Sequence, residues 1–294
     1  MRRNLKPNFP IIAYFPSWTG NVEDIPFDKL THVNYSFAFP TPTGGLTAID
    51  AKRLGSLMRQ GHQHGVKVCL AVGGWNDGDC GAFEVMASKA ESRGVFVRNL
   101  IELCDRFALD GVDIDWEYPQ AHSAGDFVLL MSELDAALRN RGRLLSAAVI
   151  AEGDAIGAFI RREIFDHIDF LNIMAYDWNY QQEGTNHSPY SLAESALDYW
   201  LGRGCPKEKA VLGLPFYGRS TTQSITYREL VAENPAAAQT DTLDGFHYNG
   251  IPTLVKKTTL AMEKAGGVMF WEATHWFRNC LSKSDHNMVG LITC

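Results

Sequence analysis

Short apolar stretches rich in β-branched and aromatic residues recur along the chain. They lie at 10–15, 32–39, 66–75, 111–117, 144–150, 168–176, 210–217 and 267–273. Between most of them the apolar positions change to helical spacing. Residues 92–108 place Val95, Phe96, Leu100, Leu103, Cys104 and Phe107 on one helical face, and residues 125–140 do the same with Phe127, Leu130, Met131, Leu134 and Leu138. Residues 50–64 form a further helix, with Asp50 placed to cap it. Helical patterns also occur at 158–166, 189–202, 252–265 and 275–282. Near-continuous apolar strands are what a parallel sheet covered on both sides requires. Eight of them alternating with helices predict an α/β fold of the (β/α)8 barrel type. The rival is a doubly wound open sheet, and no Gly-x-Gly-x-x-Gly turn follows the first strand to support it. No linker, repeat or low-complexity tract interrupts the pattern, apart from a brief small-residue patch at Ala236 to Ala238. Residues 1–294 are therefore expected to form one barrel domain.

One stretch breaks the apolar rule. Residues 110–119 read Asp-Gly-Val-Asp-Ile-Asp-Trp-Glu-Tyr-Pro. Asp113, Asp115 and Glu117 fall at alternate positions, so an extended backbone puts all three carboxyls on one face, roughly 6–7 Å apart. Val112, Ile114 and Trp116 take the other face. Like charges in a poorly hydrated row cannot all stay ionised, so at least one pKa must rise. Glu117 is outermost and has the longest reach, which suits it to protonate a leaving group. Asp115 and Asp113 stand behind it and can relay a proton or hydrogen bond. Asp110 has the wrong parity and is expected to support the turn at Gly111. Two blander explanations exist. An exposed edge strand is disfavoured because Trp116 and Tyr118 interleave with the acids. A divalent-cation site would use carboxylates, but no His or further acid cluster completes a shell, so no metal is expected.

In a (β/α)8 barrel, chemistry collects at the C-terminal ends of the strands. Glu117 falls there, and so do Tyr14, Phe37, Trp75, Tyr176, Asp177, Tyr217 and Trp271. Each aromatic alone could be core, but together with acids they resemble the lining of a sugar site, with rings against pyranose faces.

Composition narrows the partners. The chain is 46% hydrophobic and 21% charged, ordinary for a globular protein, and its net charge of −7 argues against nucleic acid or anionic membrane. No apolar run approaches the roughly 20 residues of a membrane span. Met1 to Asn8 shows no apolar stretch before a cleavage site, so no signal peptide is visible, and the compartment stays open. Cys69, Cys80, Cys104, Cys205, Cys280 and Cys294 show no metal-ligand spacing. Cys69 and Cys104 sit in apolar patterns and are expected to be buried free thiols.

The decapeptide resembles the catalytic signature of glycoside hydrolase family 18, the chitinase family, Asp-x-x-Asp-x-Asp-x-Glu. All four acidic positions match, and the match runs on through Trp116, Tyr118 and Pro119. Met174-Ala175-Tyr176-Asp177 is similar to the family's Met-x-Tyr-Asp motif. Leu214-Pro215-Phe216-Tyr217-Gly218-Arg219 resembles its seventh-strand segment, and Met269-Phe270-Trp271-Glu272 its eighth-strand ending. Leu70 to Trp75 is similar to the third-strand motif, with Val72 where Ser commonly helps order the inner acid.

The resemblance implies roles. Glu117 would be the acid, Asp115 would orient the sugar's acetamido group, and Asp113 would stand behind it. The Tyr176 hydroxyl would bond the acetamido carbonyl. Met174, Asp177, Tyr217 and Arg219 would line the cleft, and Trp271 would floor it. The substrate would be chitin or chito-oligosaccharide, cut by substrate-assisted hydrolysis with retention. No cofactor, nucleic acid or membrane partner is implied, and a monomer is expected. Many family members carry an α+β insertion between strands seven and eight. Only residues 218–266 are available here and the last of them look helical, so a full insertion is not expected. The cleft should then be shallow and favour endo-acting cleavage. Two alternatives stay open. One is a non-catalytic sugar-binding barrel, although such relatives typically lose the acid that Glu117 retains. The other is a hydrolase of N-glycan cores or peptidoglycan, which would share the acids; the Trp116-Glu117-Tyr118-Pro119 neighbourhood leans toward chitinase.

Overall fold

Eight parallel strands close into a barrel in the computed structural model, which describes residues 9–275. Seven come in sequence: β1 (Ile11–Pro16), β2 (His32–Ala38), β3 (Lys67–Gly73), β4 (Gly111–Asp115), β5 (Leu144–Ile150), β6 (Phe170–Met174) and β7 (Ala210–Pro215). Four short strands follow, β8 (Tyr217–Arg219), β9 (Ser224–Thr226), β10 (Thr242–Leu243) and β11 (Phe246–His247). They make a small antiparallel sheet of their own, in the order β10-β11-β8-β9. Then β12 (Gly267–Trp271) pairs with both β7 and β1 and closes the ring.

Side-chain alternation separates two interiors. Ile12, Tyr14, Ala71, Val211 and Met269 pack together inside the barrel, whereas Ile11, Ala13, Val68, Leu70, Val112 and Ile114 belong to a separate shell outside it. That outer shell is covered by α1 (Ala51–Gln63), α2 (Gly81–Ala87), α3 (Ala90–Phe107), α4 (Ala124–Arg139), α5 (Asp154–Gly157), α6 (Tyr190–Gly202) and, after the α7 segment (Tyr227–Glu233) beside the small sheet, α8 (Ile251–Lys264). Leu54, Leu57, Phe96, Leu100, Leu134 and Trp200 bring their helices onto the strands and are fully buried. Burying each such side chain contributes roughly 1.5–3 kcal/mol. Local signals agree with this packing. The Asp50 carboxylate accepts the Arg53 N–H at 2.9 Å and caps α1, and Thr226 and Glu229 form a reciprocal capping box on α7.

Three expectations change. The helical pattern at 158–166 is not one helix: α5 is a single turn, and 162–166 is a 3₁₀ segment. Ile160, Ile164 and Phe165 are nevertheless buried, so their spacing reports burial and not hydrogen-bond register. The acid-bearing strand ends at Asp115, leaving Glu117 in the loop beyond it. Between β7 and β12 the chain does fold as α+β, with the small sheet and α7, but its strands are only two or three residues long. The helix expected at 275–282, Cys280 and Cys294 fall outside the described residues. Cys69, Cys104 and Cys205 are buried free thiols, and Cys80 is a partly exposed one.

Candidate active site

The acid row starts deep in the barrel. Asp113 is fully buried. It accepts hydrogen bonds from Tyr14 Oη at 2.7 Å, Ser146 Oγ at 2.5 Å and Asn172 Nδ2 at 3.0 Å. Burial raises its pKa despite these three donors, which favour the charged form. Its neighbour on β3 is Ala71, which faces the barrel interior; Val72 pairs with Ile114 and belongs to the outer shell. The position expected to order the inner acid is thus the wrong one, and three other strands supply the donors. Tyr14, expected to line the cleft, is buried and committed to Asp113.

Asp115 is the next inward-facing residue, also buried. Its pKa rises well above the carboxylate range, through burial first and then the charges of Glu117 and Asp113. Asp115 Oδ1 has no hydrogen-bond partner among the described residues. Glu117 is partly exposed. Burial and the charge of Asp177 push its pKa up to about 7, against hydrogen bonding from Tyr118 and Asp115. Trp116, between them, points outward; it stacks on Phe83 at 5.0 Å and meets Phe127 edge-on at 5.6 Å. That anchor fixes the parity of its neighbours. Asp110 does not act on the Gly111 turn: its Oδ2 accepts the Val68 N–H at 2.7 Å and contacts His62 Nε2 at 2.8 Å.

Gly73 and Gly74 let the end of β3 pass close to this row. Both have positive φ, and a Cβ would strike the Asp115 carbonyl oxygen at 2.0 Å and the Phe37 ring at 2.6 Å respectively.

A second cluster follows β6. The Tyr176 hydroxyl points at Met269 Sδ, 3.7 Å away, a weak acceptor. Burial, followed by the charges of Asp115, Asp177, Glu117 and Asp113, raises its pKa and keeps the hydroxyl a donor. Asp177 receives both Nε and an Nη of Arg219, at 2.9 and 3.1 Å, and His187 Nδ1 lies 3.4 Å from it. Burial alone would raise its pKa; hydrogen bonding to His187 and Arg219 outweighs this and holds it well below the usual range. Arg219 also lies over the Tyr180 ring at 4.5 Å. Tyr217 is buried, edge-on to Tyr176 at 6.2 Å. Met174 is half-buried in the cluster that contains Tyr14 and Met269.

Aromatic rings cover the mouth. Trp271 stacks on Phe37 at 5.6 Å and 11°, and meets Tyr14 at 5.9 Å. Trp18 continues the stack, 6.1 Å from Phe37. Trp18, Trp75 and Trp178 are 63%, 59% and 43% exposed, unusually open for tryptophan. Among the described residues no group of three His, Cys, Asp or Glu side chains is arranged to hold a metal ion.

Sequence reasoning missed Trp18, Ser146, Asn172, Tyr180 and His187. Ser146 and Asn172 carried a usable signal: each is a polar residue inside an apolar parallel strand, where a buried polar group needs a partner. Trp18 lies two residues beyond the end of β1, outside the apolar run at 10–15. His187 carried no local signal, since its partner is Asp177 across a loop.

The model of the glycosyl hydrolases family 18 matches residues 10–275. The chain is 31% identical over 249 residues to a probable chitinase of Drosophila melanogaster, across 72% of this chain and 11% of that protein. It is 30% identical over 255 residues to an endochitinase of Manduca sexta, across 73% of this chain and 46% of the relative. The chain thus spans less than half the length of either relative. A solved family 18 chitinase of Flavobacterium johnsoniae superposes with a TM-score of 0.82 at 25% identity, covering 99% of this chain and 93% of that one.

Proposed function

Because the chain belongs to the family 18 glycosyl hydrolases, we propose that it cleaves β-1,4 links between N-acetylglucosamine units of chitin or chito-oligosaccharide, with the sugar's own acetamide as nucleophile. The supporting observation is the acid row: three carboxyls with no cation from the described residues among them, rising from the barrel interior to a partly exposed Glu117 whose pKa stands at about 7.

Glu117 gives its proton to the glycosidic oxygen as the C1–O bond breaks. The acetamido carbonyl oxygen bonds to C1 from the opposite side and forms an oxazolinium ring. Asp115, with an unpartnered oxygen, accepts the acetamido N–H and orients the amide for attack. Asp113, held from three sides, supports Asp115. The Tyr176 hydroxyl exchanges its weak contact with Met269 for the acetamido carbonyl. Glu117, now ionised, takes a proton from water as the water oxygen attacks C1, opening the ring with the β-configuration retained. A nucleophile tethered within the substrate gains a large effective molarity, about 7–11 kcal/mol in the best cases. Trp271 floors the sugar ring beside the cut, with Phe37, Trp75, Met174, Asp177, Tyr217 and Arg219 around it. Exposed rings at an open mouth suit endo-acting cleavage.

The test is a substrate panel: a soluble chito-oligosaccharide, a cello-oligosaccharide, a high-mannose glycopeptide and peptidoglycan, with proton NMR of fresh product. Only the first should be cut, and the β-anomer should appear first. Cello-oligosaccharide hydrolysed at a comparable rate contradicts the acetamide nucleophile. Binding without cleavage makes the protein a sugar-binding barrel, and cleavage of the other glycans alone moves it to another substrate.

A further inference from the structure

A buried ammonium lies behind the Asp177 side of the cleft. Lys257, on α8, is fully buried, although lysine rarely is unless paired. Its Nζ donates to Ser188 O at 2.7 Å, Ser188 Oγ at 2.6 Å and Asn249 Oδ1 at 2.7 Å. Three donors therefore meet three neutral acceptors. Burial brings its pKa down to about 7, with the charge of Asp241 opposing. A methionine would fill similar space without the desolvation penalty. What the lysine adds is its hydrogen bonds.

Those bonds end on the corner that carries the cleft. Ser188 Oγ donates to Ala175 O at 2.6 Å, one residue before Tyr176. Ser188 O also accepts from Asn249 Nδ2 at 2.8 Å. The adjacent His187 accepts the Trp178 N–H on its carbonyl at 3.0 Å. Its ring Nδ1 lies 3.3 Å from the Asp177 amide nitrogen and 3.4 Å from Oδ1. Either tautomer therefore contacts Asp177 through the same atom. The His187 ring also packs against Tyr217 at 5.0 Å.

We propose that Lys257 is a positioning residue of the cleft: it locks Ser188 to Asn249 and, through the His187–Ser188 corner, sets Tyr176 and the Asp177 carboxylate relative to Glu117. This takes from the proposed function only the roles of Glu117 and Tyr176. Lys257 is sealed from the cleft surface and acts through Ser188 and Asn249. Its effect on rate comes from geometry, where a displacement of about 1 Å can cost on the order of 100-fold.

Lys257→Met removes all three donors at similar length. Ser188→Ala removes only the Oγ link and disturbs the core less. Two readouts are compared with the parent. One is the NMR of the His187 ring nitrogens without substrate, which needs no activity. The other is kcat and KM on a chito-oligosaccharide across pH. The ionisable groups facing Asp177 are His187, Arg219, Glu117, Tyr176 and Tyr217; Lys257 itself feels Asp241 and His187.

In Lys257→Met the His187 signals should move and kcat should fall about tenfold, with KM within about twofold. The alkaline limb should shift to lower pH, because the Asp177 charge that helps Glu117 keep its proton is less well placed. Ser188→Ala should show the same pattern more weakly. A lower melting temperature with His187 signals, kcat and limb all unchanged overturns the proposal, and if Lys257→Met does not fold, Ser188→Ala decides by the same criteria. A parent that binds but does not cleave the sugar removes the role of Glu117 and leaves the His187 signals to decide the positioning.

Discussion

Asp115, at the end of β4, and Asp177, just past β6, are the same side chain in opposite electrostatic company. Asp115 has two carboxyl neighbours and, among the described residues, no cation beside it, and its pKa moves far up. Asp177 has a two-point bond from Arg219 with His187 alongside, and its pKa moves far down. Both are partly or wholly withdrawn from water, so withdrawal alone does not decide the charge. Partners do. One side of the cleft thereby stores protons and the other keeps a fixed negative charge, and Asp177 is among the groups that raise Glu117. A proton held on Glu117 and a stable anion across from it is the separation that general acid chemistry needs.

The largest expected effect breaks the storing side at its outer end. Glu117→Gln should lower kcat by at least about 1,000-fold while leaving oligosaccharide binding, measured by calorimetry, within a few-fold. Near-normal turnover would remove Glu117 from the chemistry. Next, Asp115→Asn should lower kcat by about 100- to 1,000-fold, the range for a lost transition-state stabiliser; an unchanged kcat would make Asp115 a structural residue. On the other side, Arg219→Met leaves Asp177 without its cation, and its pKa should rise toward the ordinary range. A fall of about tenfold in kcat/KM is expected, and none at all would mean the fixed charge is irrelevant to rate.

The smallest effect is one of pH. In the proposed mechanism the active form carries a proton on Glu117, whose pKa stands at about 7. Activity should therefore be held below that pH and decline above it, by about tenfold per unit well beyond the midpoint. A kcat/KM profile flat to pH 9 would show that Glu117 is not the group that titrates.

Much of this was legible from residue order. Alternation at 112–116 already put Asp113 and Asp115 on one face and Val112, Ile114 and Trp116 on the other, and Trp116 buried against Phe83 keeps that parity in the folded chain. The motif around Tyr176 and Asp177 pointed to the second cluster. Less was legible where a contact crosses the barrel. Tyr14 looked like a cleft aromatic and proves to be a donor to Asp113, 99 residues away in sequence. Val72 looked like the neighbour of the inner acid, whereas Ala71 holds that place. Lys257 falls in the helical pattern at 252–265, which gives no sign that it is fully buried.

Periodicity alone determined which side chains share a strand face or helix stripe, because alternation and helical pitch are properties of the local backbone. It therefore determined the eight barrel strands and the shared facing of Asp113 and Asp115. Which acids keep their protons was decided only when the ring closed. Closure brought Tyr14, Ser146 and Asn172 to Asp113, and Arg219 and His187 to Asp177. A pKa responds to the charges, donors and water within a few ångströms, and in this chain those groups come from strands and loops far apart in sequence.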